Sequence, residues 1–455
     1  MPSINITETD LTVNNTVLSD TDIVYIPGFV SNTYQPTDPL VEAFVPTLCT
    51  TVAEFTNAFG NITPVVTGCA SISGGYDAKA LPSGVGLDLF ANSDDPSTRY
   101  DVSYIMAIDL LTMGIPVVYE RINDVETVTI EGVEVTQIKQ PDFQLMMTAL
   151  GTIYGTNPRT SGASGLNDVT AYDIKYVTSG GYPVFEYTDN IAGAMESLAS
   201  GRGDCVALID ATPYSARTLY ATDANSIYGA LSDVSNSGLW SSYAAMFPEW
   251  VKYTSISAKS ATGGAITGNV PGSFAYLISL ATSIKNNPNW LAIAGVTRGL
   301  VPYISGVDTL RPVTAAIANS YQGDEKVSVN AIANIPNYGN CIWGNRTLAS
   351  NNGGLTAFSF LNVRNIVSDI KKLAYKTAVS LVFEQNSGLL KTAFKTAMSP
   401  TLARMVSGNA LSNYAFSFSN AGKNKLDVTI TLSAIYPVED FNIGIVMTDD
   451  GVTVE

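Results

Sequence analysis

The chain has 455 residues, 46% of them apolar and 14% charged, which is enough apolar material for several packed cores and too much order-promoting composition for a disordered polymer. It contains no histidine and carries a net charge of −16, so imidazole-dependent triads and the commonest metal ligand are excluded and general nucleic-acid binding is disfavoured. Cys49, Cys69, Cys205 and Cys341 are widely spaced with no CxxC pair, which reads as buried thiols in a reducing compartment rather than a zinc site.

Residues 1–20 read as an extended arm, with Ile4 and Ile6 alternating with Ser3, Asn5 and Thr7; plain disorder is the alternative. No basic and apolar leader follows Met1, and the most apolar runs, such as Leu110 to Tyr119, are short and interrupted by Gly and Pro. The expectation is a chain that is neither exported nor inserted in a membrane. A short strand at Ile23–Ile26 closes at Pro27-Gly28. Thr51 and Glu54 form a capping-box pattern for a helix carrying Phe55 and Phe59 and stopping at Gly60. Asp101 to Met113 predicts a helix and Gly114 to Arg121 a buried strand.

Ala171 to Val177 predicts another strand, followed by a helix over Asn190 to Leu198 and an apolar strand at Cys205 to Asp210. Strand, helix, strand is the grammar of a mostly parallel, helix-covered sheet. A further helix is expected over Phe274 to Lys285, within an otherwise irregular stretch. A boundary is expected near Ile335-Pro336, because the charge balance changes there: the first 336 residues carry a net −18 and the remainder a net +2.

Beyond that boundary, a strand at Phe358 to Val363 leads into a helix over Asn365 to Phe383, whose core stripe is Ile366, Ile370, Leu373, Thr377 and Leu381. Lys372 and Lys376 lie one turn apart on another face, and Lys391 and Lys395 repeat the spacing. Ser399-Pro400 reads as the start of a short helix ending at Gly408. Asp427 to Ile435 then alternates cleanly, with Val428, Ile430, Leu432 and Ala434 on one face. The alternation resumes with Phe441, Ile443, Ile445 and Met447 before a short acidic tail. A strand so close to the end of a chain either closes an edge of its own sheet, here by pairing with Asp427 to Ile435, or adds to a neighbour's edge.

Five landmarks in order give the C-terminal region a resemblance to the contractile tail sheath proteins of phages and related injection machines. They are Trp343-Gly344-Asn345-Arg346-Thr347, Asn362-Val363-Arg364 before a long helix, Phe383-Glu384-Gln385-Asn386 at that helix's end, Gly408-Asn409-Ala410-Leu411, and Pro437-Val438-Glu439-Asp440-Phe441. The resemblance covers residues 340–450 most strongly. It implies a multidomain α+β or α/β protein. Residues 1–20 would be an N-terminal arm and 21–335 an outer acidic α/β region with a mixed sheet, divisible into 21–150 and 151–335. Residues 336–440 would be an inner α+β domain and 441–455 a strand arm.

The resemblance further implies hexameric rings stacked helically around a tail tube, with Ile4, Ile6, Phe441, Ile443, Ile445 and Met447 in arms that complete a small sheet in neighbouring subunits. Lys372, Lys376, Lys391 and Lys395 would face an acidic tube, with a merely solvated helix face as the alternative. Baseplate and tail terminator proteins would be further partners. Contraction would be a rigid-body rearrangement that drives the tube through the host envelope, with hinges near residues 12–22 and 435–440. Such a protein needs no cofactor, no nucleic acid and no membrane insertion, is not an enzyme, and belongs to a virion assembled in the host cytoplasm.

Other short matches carry less. Arg202-Gly203-Asp204 sits between a helix and a buried strand, and Asn5-Ile6-Thr7, Asn61-Ile62-Thr63 and Asn345-Arg346-Thr347 are glycosylation sequons without a secretory route. An acidic extracellular surface or adhesin-type protein is the competing class, on composition. An enzyme using Cys205 as nucleophile would lack any histidine partner.

Overall fold

The computed structural model describes residues 22–30, 43–61, 89–91, 99–122, 125–130, 132–138, 143–154, 166–181, 191–210, 239–259, 263–307, 313–320, 328–349, 354–422, 424–439, 445–448 and 451–454. In chain order the first elements are β1 (Val24–Gly28), β2 (Thr47–Cys49), α1 (Val52–Phe59), β3 (Leu89–Ala91), β4 (Arg99–Asp101), α2 (Val102–Met113) and β5 (Val117–Arg121). Then come β6 (Val125–Ile130), β7 (Val133–Ile138), α3 (Phe143–Tyr154), β8 (Tyr176–Thr178), α4 (Ile191–Arg202), β9 (Val206–Asp210) and β10 (Ala244–Phe247). They are followed by β11 (Trp250–Lys259), β12 (Ala265–Pro271), α5 (Gly272–Ser283), α6 (Gly295–Arg298), β13 (Ile304–Val307), α7 (Ala315–Ser320), β14 (Ala331–Ile335) and β15 (Gly339–Trp343). The last are α8 (Leu361–Leu381), α9 (Gly388–Ser407), β16 (Leu411–Gly422), β17 (Lys425–Ala434), β18 (Ile445–Thr448) and β19 (Gly451–Val454).

The centre is a mixed sheet in the order β10-β9-β8-β1-β5-β2, parallel except for β2, which runs antiparallel to β5. β1, β5 and β9 are buried along their whole length, as parallel strands covered on both faces must be. Helix α2 is buried throughout except at Thr112 in its last turn and shows no polar stripe, the signature of a helix inside rather than on a core. It ends where Gly114 takes φ 92°, and the Gly114 and Ile115 amides then close on Leu111 and Leu110. The capping box is present as expected: Glu54 N–H donates to Thr51 Oγ1, and Glu54 Oε2 accepts from the Thr51 amide. α1 seats Phe55 and Phe59 against Tyr119.

Three buried carboxylates organise the layers around this sheet. Asp109, in the middle of α2, accepts from the Tyr253 hydroxyl (2.7 Å), the Ser255 hydroxyl (3.0 Å) and the Ile256 and Ser257 amides (3.1 and 3.0 Å), gathering a kinked stretch of β11 onto the helix. Asp210, at the end of β9, caps α5 from outside by accepting from the Ser273 amide (2.9 Å) and hydroxyl (2.7 Å), because Pro271 offers no capping side chain. Glu249 accepts from the Ile332 amide at 3.0 Å.

Burial pushes Asp210 up to about 7 and Glu249 up to about 8, and their few hydrogen bonds only partly oppose it. Unfolded carboxylates titrate near 4. The native state therefore holds extra protons above that value, and the stability they confer is lost as pH rises through about 7–8. Carboxylates held below their usual range, such as Asp173, titrate beneath that window. Thermal unfolding is thus expected at higher temperature at pH 5 than at pH 8, and Glu249→Gln is expected to flatten the difference; scanning calorimetry across this range checks both.

Several expectations are corrected. The charge boundary at Ile335-Pro336 falls inside a hairpin, since Ala331–Ile335 pairs with Gly339–Trp343 around a turn with Asn337 at φ 69°. Phe358–Val363 is not a strand: Ala357–Ser359 form a 3-10 turn, Phe360 bridges Arg346, and α8 begins at Leu361. Ala171–Val177 contracts to Tyr176–Thr178. Ser399-Pro400 opens no new helix, because α9 runs continuously through Pro400. Pro400 and the Thr396 carbonyl it deprives are on the exposed side, while Met398 and Leu402 are buried on either side of the proline and hold the helix together. No helix among the described residues is long and apolar enough to cross a membrane.

Candidate assembly interface

The C-terminal helices and strands build a second core of their own. α8 and α9 pack together and carry β16–β17 on their apolar side, burying Ile366, Ile370, Phe394, Met398, Leu402, Ile430 and Leu432. In the β16–β17 ribbon, Tyr414, Phe416 and Phe418 face inward opposite Leu432, Ile430 and Val428, while Ala415, Ser417 and Ser419 face outward opposite Thr431, Thr429 and Asp427. The alternation of Asp427–Ile435 was legible in advance; its partner β16 was missed, although Tyr414, Phe416 and Phe418 at every second position signal it.

The ribbon has only two strands among the described residues, and β16 and β17 are paired to each other along their lengths. Among the described residues no further strand pairs with the outer edge of either, where main-chain donors and acceptors could receive one. Pairing of Asp427–Ile435 with Ile443–Met447 is therefore overturned for the described residues. Ile445 and Met447 lie in β18, which pairs antiparallel with β19 from Ile445↔Val454 to Thr448↔Gly451, so the acidic tail contains a strand. Ile4, Ile6, Phe441 and Ile443 lie outside the described residues.

The first half of α8 is docked on the central sheet by polar groups. Lys175, just before β8, bridges Asp22 (2.6 Å) and Asp369 of α8 (2.8 Å), with all three side chains buried. Burial pulls the Lys175 ammonium down, but the two carboxylates outweigh it and leave the group raised. Arg364 stacks between the rings of Tyr243 and Phe358, 4.0 Å from each, and donates to the Ser242 hydroxyl. Asn365 donates to the Tyr176 hydroxyl at 2.9 Å. Lys371 donates to the Gly203 carbonyl (2.9 Å) and the Tyr243 hydroxyl (3.1 Å).

This docking corrects the basic face expected of the four lysines. Lys372 is buried; it pairs with Asp173 at 2.6 Å and donates to the Ile174 carbonyl at 2.7 Å. Lys376 shares the same carboxylate at 2.8 Å but remains 57% exposed. Lys391 is half-buried and Lys395 exposed. The one-turn spacing does put Lys372 and Lys376 on one face, but at Lys372 that face is covered by the segment before β8, and it reaches solvent only at Lys376. Near them, at the turn joining α8 to α9, Phe383 is 85% and Leu389 82% exposed.

Cys205 and Cys49 are buried, and burial pushes both thiols up to about 12, the opposite of nucleophile activation. Among the described residues no group of three His, Cys, Asp or Glu side chains could hold a metal ion.

No protein-family model matches the sequence. No curated protein matches it by sequence either. Solved structures do match. The PVC sheath complex of an extracellular contractile injection system in the contracted state superposes with a TM-score of 0.57 and 14% identity, over 99% of this chain and 98% of that one. The helical sheath of the anti-feeding prophage in its contracted state gives 0.54 and 14%, over 99% of both chains. A chain of the anti-feeding prophage baseplate gives 0.55 and 14%, over 98% of this chain and 99% of that one. Over nearly its whole length, this chain has the fold of the sheath proteins of contractile injection systems.

Proposed function

We propose that this chain is the structural subunit of a contractile sheath, assembling as helically stacked hexameric rings around a tail tube and driving that tube through a target envelope when it contracts. The observation that carries the reading is the two-stranded β16–β17 ribbon, which has no further strand on its edges among the described residues, in a sheath-like fold that also carries the separate β18–β19 strands. Arms from neighbouring copies, containing Ile4 and Ile6 or Phe441, Ile443, Ile445 and Met447, would add strands to those edges, with main-chain hydrogen bonds supplying affinity. Lys376, Lys391 and Lys395 would meet an acidic tube through screened contacts that release on contraction. Baseplate and terminator proteins would close the two ends. The particle would be a phage tail or a tail-like injection machine, assembled in the cytoplasm of the producing cell.

Contraction on this reading uses no chemistry. Subunits are assembled in an extended lattice and relax as rigid bodies, the arms keeping them joined. Negative-stain electron microscopy of the full chain beside a truncation lacking residues 441–455 tests it. Hollow tubes are expected from the full chain and none from the truncation, with the melting temperature of the truncated monomer little changed. Tubes from both, or dispersed monomers from both at high concentration, would sink the proposal.

A further inference from the structure

The chain between β17 and β18 does not leave the body freely. The Ile435 amide donates to the Ala410 carbonyl at 3.1 Å, the Tyr436 ring lies 5.2 Å from that of Phe360, and Glu439 pairs with the Arg346 guanidinium. Arg346 is itself held rigidly. Its amide donates to Asn330 Oδ1 at 2.7 Å, its carbonyl accepts from Asn330 Nδ2 at 2.8 Å, it bridges Phe360, and its guanidinium covers the Phe360 ring at 4.7 Å. Two of the sequence landmarks, around Arg346 and around Glu439, thus meet in space.

Little apolar burial assists this attachment, because Tyr436 is 49% and Val438 69% exposed. The ring stack and the ion pair hold the segment. The Glu439 end is partly open to solvent, so the pair is breakable, whereas the Arg346 end is buried and fixed. With the pair, the ring stack and the Ile435 amide bond all broken, the five residues from Ile435 to Glu439 would add roughly 16 Å of extended chain to anything anchored beyond them.

We infer that Arg346 and Glu439 form a latch at the root of the C-terminal arm, which sets where the arm departs and how far it reaches toward a neighbouring copy. The inference rests on the sheath reading, and it takes residues 435–439 out of the hinge expected near 435–440 for as long as the pair is closed. Arg346 is a positioning residue here.

Thermolysin cleavage of the Ala434–Ile435 bond in the unassembled full chain, together with the lattice of assembled tubes, tests the latch. Glu439→Lys is expected to speed cleavage about tenfold, and Glu439→Gln less, with the melting temperature of the body unchanged. High salt should speed cleavage of the natural chain and leave Glu439→Lys unaffected. Tubes of Glu439→Lys should show an altered or variable axial rise, which a purely structural contact would not change. Equal cleavage rates with an identical lattice would overturn the latch. If the natural chain forms no tubes, the sheath reading fails, and the cleavage comparison alone still decides whether the pair holds the segment.

Discussion

Replacing Lys175 with methionine is expected to cost about 3–5 kcal/mol of folding stability, because it strands two carboxylates inside the protein. Asp22 and Asp369 are each almost wholly inaccessible and both depend on the one ammonium between them. Burial already holds Asp369 above the ordinary carboxylate range even with Lys175 beside it. Without the lysine, Asp369 would have to bind a proton to remain inside, so the loss should be smaller at pH 5 than at pH 8. Urea unfolding at the two pH values measures this. Lys175→Met combined with Asp22→Asn and Asp369→Asn should recover much of the loss, since removing every charge is cheaper than leaving some unpaired. Equal destabilisation at both pH values would show that packing, not charge, is what Lys175 supplies.

The second large effect is expected at Arg364. The residue is 2% exposed and its guanidinium lies between two aromatic faces, each 4.0 Å away, so the cation–π attraction is desolvated and acts twice. Arg364→Ala removes both contacts, the hydrogen bond to Ser242 and the volume of one of the largest buried side chains, for a cost on the order of 3 kcal/mol. Arg364→Lys should recover less than half, because an ammonium cannot stack as a plane between two rings. Chemical denaturation gives the stabilities, and hydrogen exchange along α8 should show its first half opening before the central sheet. Exchange that quickens equally throughout the chain would mean that Arg364 is not a specific dock for the helix.

These two sites share a logic that bears on function. Helix α8 is fastened to the central sheet by paired and stacked charges at Lys175, Arg364, Lys371 and Lys372, and in the sheath proposed above this dock would pass a pull on the C-terminal core to that sheet.

Much of this was legible before any coordinates. The capping box at Thr51–Glu54, the buried helix ending at Gly114, the apolar strand before Asp210 and the alternation of residues 427–435 are local patterns, and locally encoded elements formed where they were expected. The sheath-like landmarks were legible as well, because they lie in order over about a hundred residues. Boundaries fared worse at Pro400 and Phe358, where burial of neighbouring side chains outweighed the local preference of a proline or a short apolar run.

Read alone, then, the amino-acid order settled the composition class, the helix-covered sheet and the strand character of the chain's end, since each follows from periodicity and caps within a few residues. Which side of a helix meets water was not legible. Lys372 and Lys376 have the spacing of a surface pair, and only the approach of Asp173, some two hundred residues earlier, turned one into a buried anchor. The pairing of Arg346 with Glu439, the sharing of Lys175 between Asp22 and Asp369, and the marriage of β17 to β16 rather than to the final strand were likewise decided by tertiary structure. Charge pairing and strand pairing depend on what the fold brings within a few ångströms, and no local pattern carries that information.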